Sequence, residues 1–177
     1  EQVRASPGVR RGEGWAARAD TVTNYSADRI TPPCTHFGVC GGCTLQHWRA
    51  EPYQAWKTGL LEAALRRAGF ADPVIAPMRS GAPGQRRRLD LAARRGPGGL
   101  RLGLHQARSG EIVPLSECPV TDPVLVRLLA PLRAVLNGLQ TVRREASVVL
   151  NLLDAGVDML LRSDADLPLA DRLALTD

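Results

Sequence analysis

Residues 86–105 read RRRLDLAARRGPGGLRLGLH. In the first half, Leu89, Leu91 and Ala93 point one way and Arg86, Arg88 and Asp90 the other. Leu100, Leu102 and Leu104 resume the alternation in the second half. A period of two with one apolar side marks a half-buried strand. GPGG at 96–99 has turn composition, so the stretch predicts a hairpin with one apolar face.

Working outward from that hairpin, Ser109-Gly110 predicts a second turn leading into EIVPL and then Cys118. Asp122-Pro123 opens a helix, with aspartate as cap and proline at the first position. Pro131 is expected to kink or divide this helix before Gly138 ends it. SVVLNLL and VDMLLRS predict an apolar hairpin around Asp154-Ala155-Gly156, and PLADRLALTD begins another helix.

In the other direction, Pro52 opens a helix over PYQAWKTGLLEAALRRAGF. Tyr53, Trp56, Leu60, Ala64 and Ala68 recur at helical spacing, Leu61 and Leu65 widen the stripe, and Gly69 is a natural stop. That stripe is expected to pack, Trp56 included. Residues 1–30 read as short strands broken by turns, too few to close a barrel, with Trp15 expected in what core they form. The fold class is therefore α+β: an antiparallel sheet with packed helices and a cysteine-rich loop over 31–177, preceded at 1–30 by the remnant of a small β-barrel.

The chain has 177 residues, and 44% are hydrophobic, enough for a packed core. Lys and Arg number 23 against 18 acids, a net charge of +5. Nearly all of that positive charge is arginine, whose planar fork suits phosphates and bases, which points to a polyanionic partner. No apolar run approaches the roughly 20 residues that span a bilayer, and the N-terminus has no apolar signal core. A cytoplasmic protein is expected, and a monomer. GEGWAA at 12–17 formally fits a nucleotide-binding glycine pattern, but the strand and helix that pattern needs are missing, so it reads as a turn.

Three of the four cysteines, Cys34, Cys40 and Cys43, fall within ten positions, and Cys118 follows much later. A reducing compartment disfavours disulfides. A structural zinc site would take four thiolates, usually as two C-x2-C knuckles, and only one such pair is present. A 4Fe–4S cluster suits a compact three-thiol loop with a distant fourth ligand better. Gly41 and Gly42 let the backbone wrap closely, and Pro119 follows the fourth cysteine.

PPCTHFGVCGGCTLQHW at 32–48 resembles the cluster loop of bacterial uracil-C5 RNA methyltransferases that act on large-subunit ribosomal RNA. In that family a helix bearing Gln and Lys follows, matched here by Tyr53, Gln54 and Lys57, and then an Arg-rich strand, matched by Gln85, Arg86, Arg87 and Arg88. LGLHQARSGEIVPLSECPVTDPVL, with the fourth cysteine, completes a resemblance that covers most of 29–177. Two departures are Gln85, where the family usually has Tyr, and Trp48, where smaller residues are common.

The resemblance implies three parts: a small RNA-binding barrel called TRAM, whose end residues 1–30 resemble; a cluster-bearing central domain, 31–177; and a Rossmann-like methyltransferase domain expected to be absent here. It also implies the chemistry, in which a cysteine thiolate attacks carbon 6 of uracil and carbon 5 takes the methyl of S-adenosylmethionine. All four cysteines are assigned to the cluster, so no catalytic residue and no S-adenosylmethionine site is expected in this chain. Its expected role is recognition of RNA, ribosomal RNA by the resemblance.

Arg86, Arg87 and Arg88 are the first candidates for RNA contact, although charge runs are as often solvated faces. Alternation puts Arg87 on the apolar side, which suggests packing or a buried ion pair. Phe37, Gln46, His47 and Lys57 are further candidates; shielding the cluster suits Phe37 better than stacking, and His47 reads more readily as structural. Two other classes compete: a zinc-bearing nucleic-acid-binding module, and an iron–sulfur electron carrier, which would ordinarily be small and acidic.

Overall fold

The computed structural model describes residues 1–176. It contains two compact units, one made of Glu1–Pro32 with Leu45–Met78, the other of Pro33–Thr44 with the chain from Arg79 onward. The protein is mixed α/β, and all its strand ladders are antiparallel.

In the first unit, β1 (Gln2–Ala5) pairs with β4 (Ala19–Asn24), and β2 (Val9–Arg11) pairs with β3 (Gly14–Ala16). Gly12, at φ +59°, makes the tight link between β2 and β3, so GEGWAA is a turn entering a strand. No closed barrel is formed among the described residues. Trp15, expected in the core of this segment, is instead 72% exposed, because a two-stranded ribbon offers no second layer to cover it.

The helix α1 (Ala50–Arg67) starts two residues before Pro52. The proline thus sits in the first turn, where its missing N–H has no intrahelical partner to lose. Gly69, at φ +97°, ends the helix, and the Phe70 N–H returns to the Leu65 carbonyl. The expected packing of its apolar stripe is corrected: no residue of α1 is buried, and Trp56, Leu60 and Leu61 are exposed.

The second unit is built on a five-stranded sheet in the order β7-β6-β5-β8-β9. Its strands are β5 (Arg88–Gly96), β6 (Gly99–His105), β7 (Ile112–Pro114), β8 (Glu145–Leu153) and β9 (Gly156–Ser163). The hairpin read from 86–105 is the β5–β6 pair, closing at Gly96 opposite Gly99. Leu89, Leu91, Ala93, Leu100 and Leu102 all lie on one buried face, with Val148 and Leu150 of β8.

The cover comes from α2 (Pro123–Arg127) and α3 (Leu129–Gly138), which add Leu125, Leu129 and Leu136 to the same core. Asp122 caps α2 by accepting the Val124 N–H at 2.8 Å. The division falls at Leu128, not at Pro131, which stands in the first turn of α3 and costs it no hydrogen bond. Arg95 reaches from β5 to the C-terminal end of α3, donating to the carbonyls of Leu136, Asn137, Leu139 and Val142 at 2.9–3.3 Å. Leu136 and Asn137 stand in the last turn of α3, where carbonyls lack their regular i+4 donors, and Leu139 and Val142 follow the helix. A final helix, α4 (Leu169–Ala174), brings the buried Asp171 carboxylate to the N–H groups of Gln140 and Thr141. No helix among the described residues is long and apolar enough to cross a membrane.

Candidate metal centre and nucleic-acid contacts

The cysteine loop runs as tight turns. The Phe37 N–H returns to the Cys34 carbonyl, and the His36 carbonyl accepts from both Val39 and Cys40. It is then strapped to the end of the β6 hairpin. Cys40 bridges Gln106, the Gly41 N–H reaches the His105 carbonyl at 2.9 Å, and the Ala107 N–H reaches the Val39 carbonyl at 2.9 Å. Gly41 has to be glycine for this approach, since a Cβ there would stand only 2.9 Å from the His105 oxygen.

Cys118 is held from the other side. The Gly84 and Arg86 N–H groups donate to Pro119 and Val120, and Asp122 donates back to Arg86. The Thr35 hydroxyl donates to the Glu117 carboxylate, tying the loop to the residue before Cys118. All four cysteines therefore lie in one compact unit, half-buried and free of disulfides.

Their electrostatics match that grouping. Burial pushes the Cys34 thiol up, and the neighbouring Cys118, Cys43 and Cys40 push it further, against one lowering backbone contact at His36. Two sulfurs accept hydrogen bonds, Cys40 from the Gly42 N–H at 3.4 Å and Cys118 from the Thr121 hydroxyl at 3.2 Å. His36 Nε2, in the same loop, is buried with no partner among the described residues. In its chemistry the donor set fits a thiolate-bound metal, because a cation offsets the mutual repulsion of clustered thiolates. In its geometry it is not closed: among the described residues no group of three or more His, Cys, Asp or Glu side chains stands ready to hold a metal ion. Coordination requires the thiols to draw together.

The candidate RNA contacts are divided between the units. Phe37, Arg86, Arg87 and Arg88 belong to the second, and Gln46, His47 and Lys57 to the first. The three arginines are all exposed, but they are not equivalent. Arg87 donates to the Leu152 carbonyl and to Asp154 at 2.8 Å, so it does make an ion pair, but an exposed one. Arg88 is engaged by Asp90 and Asn151. Only the Arg86 guanidinium lacks a partner among the described residues, while its backbone is fixed beside the Cys118 segment.

In the first unit, Lys57 Nζ stands 5.3 Å from the centre of the Tyr53 ring. Gln46 buries its carbonyl oxygen, which removes that atom from any surface contact. Sequence reasoning overlooked a group here: Trp48, Tyr53 and Trp56 form a cluster with ring centres 5.4–6.2 Å apart. The available signal was the three-residue step from Tyr53 to Trp56, one helical turn, with Trp48 just before the helix.

An uncharacterized RNA methyltransferase of Caulobacter vibrioides is 44% identical over 134 residues, 75% of this chain and 31% of its own length. Another uncharacterized RNA methyltransferase, of Brucella suis, is 38% identical over 151 residues, 85% of this chain and 36% of its own. The 23S rRNA (uracil(1939)-C(5))-methyltransferase RlmD of Yersinia enterocolitica is 40% identical over 159 residues, 88% of this chain and 36% of its own. No protein-family model matches the chain. The chain is similar to these RNA methyltransferases over most of its own residues, which is consistent with that family, and it spans about a third of their length.

Proposed function

We propose that this chain is the iron–sulfur-bearing, RNA-recognising part of an S-adenosylmethionine-dependent uracil-C5 methyltransferase acting on 23S ribosomal RNA. The observation that carries it is the gathering of Cys34, Cys40, Cys43 and Cys118 into one unit, with the Cys34 thiol in the field of the other three. These four would hold a 4Fe–4S cluster. The cluster would supply a cross-link between the loop and the segment around Cys118, adding to the Thr35–Glu117 contact. The Gly42 N–H and Thr121 hydroxyl would tune its sulfur ligands.

The methyl donor and the attacking thiolate belong, in this reading, to a part of the protein outside this chain. Within it, Arg86 takes an RNA phosphate, and Phe37, Gln46, His47 and Lys57 are the secondary candidates. Arg87 and Arg88 tie the start of β5 to β8 and the turn after it through their own partners before they touch RNA.

Anaerobic purification with iron, sulfide and zinc quantified tests the cluster. Iron and sulfide in matching amounts, lost together in Cys118→Ser, are the expected result. Zinc without sulfide, even after anaerobic reconstitution, would turn the chain into a zinc-bearing nucleic-acid-binding module. For the RNA contact, Arg86→Gln should weaken binding evenly across sequences and flatten the salt dependence by about one phosphate contact.

A further inference from the structure

Two segments of the first unit, 26–30 and 45–49, are zipped along their backbones. Ile30 donates to the His47 carbonyl and Arg49 to the Asp28 carbonyl, both at 2.9 Å, and Arg29 bridges Trp48. Together they line a cleft of about 320 Å³, with Ser26, Asp28 and Arg29 from one segment, Leu45, His47 and Trp48 from the other, and Glu1 beside them. That volume is at the lower end for small-molecule sites, the size class of a single nucleoside.

Its wall is aromatic and held in place. Trp48 packs edge-on to Tyr53 and tilted against Trp56, so its indole is oriented before anything binds. Its charges are already matched. The Glu1 carboxylate takes the Arg29 guanidinium through both oxygens, at 2.6 and 2.7 Å, and Asp28 takes Arg49. Arg29 also faces the Tyr25 ring, 5.6 Å from its centre. A phosphate entering here would have to displace a carboxylate from an arginine. A neutral planar ring meets no such cost, and the lining carboxylates retain acceptor capacity for its N–H groups.

We propose that this cleft binds one unstacked nucleobase of single-stranded RNA, stacked on Trp48 and carrying an exocyclic amino group that donates to Asp28 or Glu1. This rests on the RNA-recognition reading above. Adenine, cytosine and guanine offer that amino group. Uracil has a carbonyl oxygen where cytosine and adenine carry that amino group, and its one free donor, the ring N3–H, is flanked by two such oxygens that face a carboxylate unfavourably. The cleft therefore takes an amino-bearing base and not a uridine.

The test titrates the 177-residue protein with hexa-adenylate, hexa-cytidylate, hexa-uridylate and tripolyphosphate, followed by indole fluorescence and anisotropy. Hexa-adenylate and hexa-cytidylate should bind about tenfold more tightly than hexa-uridylate, the scale of one hydrogen bond to a charged acceptor. Trp48→Leu should abolish that preference and Asp28→Asn should reduce it, while Arg86→Gln lowers affinity for all three and keeps the preference. Equal binding of the hexamers, or a preference that survives Trp48→Leu, overturns the cleft and leaves the RNA reading standing. Failure of every hexamer to bind defeats the RNA reading, and the cleft with it. Should Trp48→Leu not fold, the unaltered protein still decides: adenosine, and not uridine, should shift the Trp48 indole N–H resonance, and an unmoved resonance overturns the proposal.

Discussion

The β5–β6 hairpin and the helix α1 both carry an apolar pattern, yet they fare oppositely. In the hairpin, Leu89, Leu91 and Leu102 are at most 2% exposed. On α1, Trp56, Leu60 and Leu61 are 42–51% exposed. Both patterns identify the element correctly. Period selects the backbone conformation that puts apolar side chains on one side, but burial needs a second layer on that side. The hairpin has one in α2 and α3, and α1 has none among the described residues.

That contrast can be broken or sharpened in order of effect. Leu102→Ala should lower unfolding stability by about 2–5 kcal/mol in denaturant titration, since it opens a cavity at a site with no exposure. A loss below about 1 kcal/mol would mean that the helices do not cover the sheet as described. Gly103→Ala should also be severe, about 1–3 kcal/mol or more, because a Cβ there would run into the Val113 carbonyl between β6 and β7.

Asp171→Ala should cost about 1–3 kcal/mol by leaving the Gln140 and Thr141 N–H groups without their acceptor. Asp122→Ala, which removes the α2 cap, should cost about 1 kcal/mol. Leu60→Ala should change stability by no more than about 0.5 kcal/mol, and a core-sized loss would show that the α1 stripe is covered in solution.

The smallest effect is a titration. The Arg29 side chain holds the Glu1 carboxyl down from 4.5 to about 2. A depressed folded value stabilises above the ordinary one, so the contribution is complete above pH 4.5 and is lost as the pH falls toward 2. Carboxyl chemical shifts should show that low midpoint, and Arg29→Ala should return it toward 4.5.

Much of the second unit was legible in its residues. The hairpins at 86–105 and 147–163 and the Asp122 cap are all present, because alternation, turn glycines and capping aspartates act over a few neighbouring positions. The helix break was misplaced to Pro131 because a proline in a first turn ends nothing. Trp15 was misread because a hydrophobic residue on a strand says nothing of whether a facing layer exists.

The sequence by itself determined the likeness to RNA methyltransferases, the strand and helix periods, and the set of four cysteines with their spacing. These are properties of residue identity and local order. Only the tertiary structure decided that Cys118 shares a unit with the other three, and that Arg86 alone of its triplet has no side-chain partner among the described residues. It also decided that Trp48 stands between a zipped cleft and two further rings. Those outcomes depend on which distant segments the backbone hydrogen bonds bring together, and no local pattern encodes a pairing made across tens of residues.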